Sequence, residues 1–203
     1  YGQYEFKPHP EFTEKGRKTY AEYQENARAG RRYREPTAFC YPAGMPRLMT
    51  RYGALMILQY PTAIFIMSRL NNEYRVIFMD GREREPQNIR DKNWSGESLG
   101  HWEGDTLVVE TVNFQNHDTY STWRGSSKDM KLVERFRIVD ADTLSYEFTV
   151  NDPATWTSPW TVEVPMKRNE LPLFEYACHE GNYAMDAMLA GARAEEESSQ
   201  GGQ

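Results

Sequence analysis

The first place to look for chemistry in this 203-residue chain is Gly96-Glu97-Ser98-Leu99-Gly100. It matches G-x-S-x-G, the nucleophile elbow that presents a serine above a parallel sheet. An elbow needs a strand before the serine and a helix after it. Here Ser98 is followed by His101-Trp102-Glu103-Gly104-Asp105, a strand running into a turn, so Ser98 is expected to open a strand and not to attack a substrate. The four histidines, His9, His101, His117 and His179, include no pair at H-x-x-x-H spacing. Cys178-His179-Glu180 holds three ligand types in a row, but successive strand residues point to opposite faces, so neither a metal site nor a cofactor is expected.

Glu134 is the carboxylate whose setting could matter. In Leu132-Val133-Glu134-Arg135-Phe136-Arg137-Ile138 a period of two places Glu134 with Leu132, Phe136 and Ile138, while Arg135 and Arg137 share the more polar face. A carboxylate facing the interior costs several kcal/mol unless it is paired. Either it meets a buried cation, with Arg47 and Arg82 as candidates, or it lines a cavity as a general acid/base, with His101 as the second group at a barrel mouth. Trp102, Tyr146, Trp160 and Tyr176, drawn from a 13% aromatic complement, are the side chains expected to line an apolar ligand site. Core packing accounts for most aromatics equally well.

The elements that must position these groups are mostly strands. Period-two segments fall near 55–60, 62–68, 73–79, 98–104, 105–112, 130–139, 142–150, 159–166 and 172–179. Leu144, Tyr146, Phe148 and Val150 alternate with Thr143, Ser145, Glu147 and Thr149, the pattern of a sheet covered on one face. Glu103-Gly104-Asp105, Asp140-Ala141-Asp142, Asn71-Asn72 and Asp80-Gly81 are hairpin candidates. Asp105 and Asp142 each open a D-T-L-x-x-E segment, two similar hairpin solutions and too few copies for a repeat array.

The expected fold is therefore all-β with short terminal helices: an antiparallel meander forming a lipocalin-like, closed or nearly closed barrel of about 8–9 strands. Residues 1–35 form an N-terminal arm and helix on the stripe Phe12, Gly16, Tyr20, Tyr23 and Ala27. The run Arg31, Arg32 and Arg34 after it reads as a solvated face before it reads as an anion site. Residues 36–182 form the barrel, and 183–203 a helix on Met185, Met188, Leu189 and Ala192, then a polar tail expected to be disordered from Glu195. The loops at 80–97 and 113–129 are long enough to carry function at a barrel rim.

A net charge of −6 argues against nucleic acid as a partner, which needs a basic face. The longest apolar approach, Ala54 to Met67, is broken by Gln59, Tyr60 and Pro61, so no transmembrane segment is expected. Opening on Tyr1 and not on Met fits removal of an export signal and equally fits an arbitrary boundary of the sequence. Cys40 and Cys178 are the two cysteines and read as one disulfide of an oxidising compartment or as two buried thiols.

The strings C-Y-P-A-G-M-P-R at 40–47, M-D-G-R at 79–82, W-S-G-E-S-L-G-H-W-E-G-D-T-L-V-V-E-T at 94–111, E-R-F at 134–136, D-A-D-T-L-S-Y-E at 140–147, P-W-T at 159–161 and E-Y-A-C-H-E-G-N at 175–182 resemble a family of exported bacterial proteins of unassigned function. The resemblance covers roughly residues 36–195. It implies a periplasmic or secreted location and a cysteine pair that belongs to the design, and brings no activity with it. Where that family places a histidine before the E-R-F strand, this chain has Ser126 and Ser127.

Three functional classes follow. The first is an exported barrel binding a small apolar or aromatic molecule without chemistry of its own. The second is an accessory or structural subunit of an extracytoplasmic assembly, with the termini as docking arms onto other protein chains. The third is a cofactor-free lyase, isomerase or hydrolase using Glu134 and His101.

Overall fold

The period-two segments become eight strands of one curled sheet, in the order β1-β2-β3-β4-β5-β6-β7-β8, in the computed structural model of the chain. They are β1 (Leu55–Gln59), β2 (Ala63–Ser68), β3 (Tyr74–Phe78), β4 (Glu97–Glu103), β5 (Thr106–Val112), β6 (Lys131–Asp140), β7 (Thr143–Asn151) and β8 (Trp160–Lys167). Three α-helices accompany them among the described residues, α1 (Glu14–Arg28), the single turn α2 (Arg47–Thr50) and α3 (Ala184–Gln200), with a 3-10 turn at Leu70–Asn72 between β2 and β3. The structure describes residues 10–29, 42–50, 53–84, 86, 93–115, 127–177, 180–181 and 183–200. The sheet curls into a half-barrel whose edges, β1 and β8, stay apart.

The expected meander is broken at one place. β3 and β4 pair in parallel, Ile77 opposite Ser98 and Phe78 opposite Leu99, while every other neighbouring pair is antiparallel. Parallel neighbours cannot be joined by a tight turn, because the chain must return to the end it left. Asp80-Gly81 therefore starts a long connection and not a hairpin. The turns at 104–105 and 141–142 do close hairpins, the first with Gly104 at φ +62°, and both D-T-L segments enter their strands directly after them. The ninth expected strand does not form: residues 172–177 are irregular, and 178–179 lie outside the described residues.

The concave face carries the core. Ile64, Ile66, Ile77, Val109, Leu132, Phe136, Tyr146, Phe148 and Val150 are buried there, each of the apolar ones contributing about 1.5–3 kcal/mol. At Gly100 on β4 an added Cβ would lie 2.8 Å from Ile77 Cγ2 and 2.6 Å from Met79 Sδ, so the β3 side packs into the space a side chain would fill. Met45, Leu48 and Met49, on and just before α2, complete the cluster at the end where β4, β6 and β8 begin.

α1 docks at that same end. Thr13 caps it by accepting the Gly16 N–H on Oγ1 at 3.0 Å, and donates to the Ala154 carbonyl at 2.8 Å. A Cβ on Gly16 would collide with the Thr155 carbonyl oxygen, so glycine is what lets helix and loop touch. Phe12 stacks between Tyr20 and Trp156, at centroid distances of 5.2 and 6.2 Å.

The C-terminal helix outruns its expected end. Residues 195–200, read as disordered tail, continue α3, with Ser198 and Ser199 hydroxyls donating to the Glu195 carbonyl at 2.8 Å. Ala, Met, Leu and Glu are strong helix formers, and their sum outweighs the polar character of the segment. Its apolar side chains Met185, Met188 and Leu189 are exposed. Among the described residues no helix is long and apolar enough to cross a membrane.

Candidate functional site

Glu134 sits in the middle of β6 with its side chain fully buried. Strand alternation aims it into the concave face, flanked across the ladder by Val109 on β5 and Phe148 on β7. The cation that meets it is Arg75 of β3, not Arg47 or Arg82. Arg75 Nη1 donates to Glu134 Oε1 at 2.9 Å, and Nη2 pairs with Oε2 in the second limb of a bidentate ion pair. Arg82 lies on the surface, bonded to Asp80 and stacked 3.7 Å over the Phe78 ring.

The rest of the guanidinium is used as well. Nε donates to Ser98 Oγ at 3.0 Å and Nη2 to Thr111 Oγ1 at 2.7 Å, while those two hydroxyls share a bond of 3.0 Å. The Tyr146 hydroxyl donates to Glu134 Oε1 at 2.8 Å. Burial pushes the Tyr146 phenol well above its ordinary pKa, and the neighbouring Glu134 charge adds to it, so the hydroxyl stays a donor. Each of these five side chains is at most 2% exposed. The network spans one residue on each of β3, β4, β5, β6 and β7.

Chemically this arrangement holds a fold together. Both Glu134 oxygens are engaged, no water-facing atom is free to take a proton from a substrate, and Ser98 is occupied by Arg75 and Thr111. His101 is one residue further round the pleat than its inward neighbours Gly100 and Trp102, which puts it on the opposite face from Glu134. It is exposed, and its Nε2 lies 3.3 Å from Glu103 Oε1. The structure does not bring Glu134 and His101 together. Among the described residues, no group of three His, Cys, Asp or Glu could hold a metal ion.

A second buried carboxylate escaped the sequence reading. Glu73, just before β3, accepts the Ala43 N–H at 2.7 Å, the Gly44 N–H at 3.4 Å and the Ser95 hydroxyl at 2.7 Å. It pins the segment leading into α2 against the end of the sheet. Burial raises its pKa, against the lowering effect of those three bonds and of Arg75. The signal for both missed residues was present: Glu73 and Arg75 alternate with Ile77 in the same way that Glu134 alternates with Phe136.

The four aromatic candidates are separated. Tyr146 is sealed under the network, in a ring series running from Phe136 (4.9 Å) through Phe148 (5.5 Å) to Trp160 (5.9 Å). Trp160 lies at the start of β8, half-buried, against Trp156 at 5.3 Å. Trp102 stands exposed near the far end of β4. Tyr176 lies beyond β8, half-buried, in the irregular segment.

Among the partly accessible apolar side chains of the concave side, four lie together on β8. Trp160, Val162, Val164 and Met166 face inward but stay partly exposed, whereas Tyr146, Phe148 and Val150 on the adjacent β7 are fully buried. Among the described residues no strand lies beyond β8, so these four side chains form a partly covered apolar edge of the half-barrel. The cysteine pair Cys40 and Cys178, together with His9, His117, His179, Trp123 and Arg31, Arg32 and Arg34, lies outside the described residues. Compared with known proteins, the chain matches no family model, no curated protein and no solved structure.

Proposed function

We propose that the protein binds a small apolar or aromatic molecule at the apolar edge along β8 and performs no chemistry on it. One observation carries this reading: the inward side chains Trp160, Val162, Val164 and Met166 are apolar, concave in arrangement and only partly covered. Ligand sites are apolar concavities with few polar groups, and here the polar groups of the concave face are consumed by one another. The absence of chemistry is supported by the engagement of Glu134 with Arg75 and by the placement of His101 on the other face.

The test is titration of the full chain with an uncharged apolar fluorophore such as phenylnaphthylamine. Saturable binding at one site, with quenching of tryptophan emission, is expected, and Val164→Asp should weaken it at least about tenfold by placing a charge on that edge. Binding that does not saturate, or that ignores Val164→Asp, would overturn the reading.

A second reading is favoured by α3, whose Met185, Met188 and Leu189 form an exposed apolar stripe: the chain as a subunit of an extracytoplasmic assembly. Light scattering on purified protein, with Met188→Glu as control, separates the two, since only the assembly reading makes mass depend on that residue. Export is supported by the family resemblance, and rests on Cys40 and Cys178 being bridged. Non-reducing peptide mapping of protein isolated from the bacterial envelope should recover them as one linked pair; two alkylatable thiols would remove that support.

A further inference from the structure

The two edges of the sheet are built differently. In an antiparallel ladder, pairs that exchange backbone bonds alternate with pairs that do not, so every second residue of an edge strand turns its N–H and carbonyl away from the sheet. On β8 the bonded side is set by the Arg168 N–H, which donates to the Asp142 carbonyl at 2.9 Å. The outward positions are therefore Thr161, Glu163, Pro165 and Lys167. Glu163 and Lys167 are charged and Pro165 lacks an N–H, the features that stop an edge from taking a further strand.

β1 carries no such guard. The Tyr60 N–H donates to the Ala63 carbonyl at 2.9 Å and the Arg69 N–H to the Ala54 carbonyl at 3.2 Å, so Ala54, Met56, Leu58 and Tyr60 bond toward β2. Leu55, Ile57 and Gln59 then turn their backbone groups outward, and no described residue takes them. The strand is open on both faces, with Met56 41%, Ile57 44% and Leu58 37% exposed. From Leu55 to Tyr60 the chain holds no charge and no proline.

We propose that β1 pairs antiparallel with β1 of a second copy across a twofold axis at Ile57, joining two half-barrels into one sheet. In this register Ile57 lies opposite its own copy, Leu55 opposite the partner's Gln59, and each outward N–H meets a carbonyl. Met56 faces the partner's Leu58 on the outer side. A twofold axis brings like residues together, which repels in a charged strand and does not in this one. The guarded β8 edge ends the growth at two copies. A single strand pair is a small interface, so the dissociation constant is expected on the order of 10–100 μM. The contact is separate from the β8 ligand edge and from the α3 stripe.

The test is sedimentation velocity on the full chain, with hydrogen exchange at low and high concentration. Mass should rise from monomer toward dimer between about 1 μM and about 500 μM, and over that range exchange at the Leu55, Ile57 and Gln59 amides should slow about threefold or more. The Met56 and Leu58 amides, already bonded to β2, should not change. Ile57→Lys sets one ammonium group against another on the axis and should keep the chain monomeric, whereas Met67→Lys on the outer face of β2 and Met188→Glu on α3 should still dimerise. A monomer at every concentration would overturn the proposal. So would a dimer whose Leu55, Ile57 and Gln59 amides exchange unchanged, or one dissolved by Met67→Lys or Met188→Glu, since the contact would then lie on a sheet face or on α3. Should Ile57→Lys fail to fold, Gln59→Pro removes an outward N–H and leaves the ladder to β2 intact. That variant should be monomeric, and a dimer of unchanged strength would count against the pairing.

Discussion

Replacing Glu134 by leucine should be among the most damaging single changes available to this chain. The substitution leaves Arg75 with a buried guanidinium whose Nη1 has no acceptor and whose Nη2 keeps only Thr111, and it strips the Tyr146 hydroxyl of its partner. Breaking one side of a buried ion pair costs about 3–5 kcal/mol, and an orphaned buried hydroxyl about 1–3 kcal/mol more. The added leucine volume offsets part of this, leaving a loss on the order of 5 kcal/mol, comparable with the whole stability of many domains. With a urea dependence of about 2 kcal/mol per molar, the midpoint should fall by more than about 2 M. The triple change Arg75→Met, Glu134→Leu and Tyr146→Phe removes every charged and hydroxyl member that would otherwise be stranded, and should return to within about 2 kcal/mol of the starting protein. Urea unfolding followed by tryptophan fluorescence reads all of these. If Glu134→Leu alone cost less than about 1 kcal/mol, or the triple variant were no better than the single, then water reaches the guanidinium and the network is not sealed as described.

Three further outcomes are expected. Gly16→Ala should destabilise despite a helix propensity gain of about 1 kcal/mol, because its Cβ meets the Thr155 carbonyl; loss of the Phe12–Trp156 contact would show in tryptophan emission, and a stabilised variant would refute the close approach. Asp152→Ala should cost about 2–4 kcal/mol in urea unfolding, since the buried carboxylate accepts from the Ser127 N–H and hydroxyl and from the Thr155 hydroxyl; a neutral result would show these bonds to be replaceable by water. Burial raises the Glu73 pKa above the 4.5 of a free side chain, so its favourable contribution is complete below the unfolded pKa and fades as pH rises through the folded value. Wild type minus Glu73→Gln stability should therefore decline as pH rises above 4.5, and a difference that rises with pH would reverse the assignment.

Alternation was enough to read the strands and the inward turn of Glu134, because a half-buried sheet imposes a period of two on every residue it covers. The same rule applied to Tyr74–Phe78 would have turned Arg75 inward, but an arginine in a short apolar run reads as an edge charge until a partner is in view. Pairing partners themselves were not legible. Whether β3 meets β4 in parallel depends on where an 18-residue connection (79–96) returns the chain, and no local residue encodes that. Residues 172–177 do not form the expected strand: Phe174 and Tyr176 carry strand propensity, but the Tyr176 N–H and carbonyl are both taken by the Asn72 side chain and not by a neighbouring strand.

The location of the charge network follows from the weakest seam in the sheet. β7 and β8 are registered at eight positions, whereas β3 and β4 are registered at two. Backbone bonding alone would let β1–β3 hinge against β4–β8. Apolar contacts across that seam would hold the halves together without fixing their register, since hydrophobic burial is non-directional. A guanidinium is the opposite: its donors leave in fixed directions, and four of its bonds here find Ser98, Thr111 and both oxygens of Glu134 on β4, β5 and β6. Glu73 performs the same service at the other side of the seam, joining the start of β3 to Ser95 before β4 and to the segment entering α2. Directional polar contacts are thus concentrated on β3, where the ladder supplies fewest of its own, and this is why an inward carboxylate that looked like a catalytic acid is better explained as the far end of a clamp on β3.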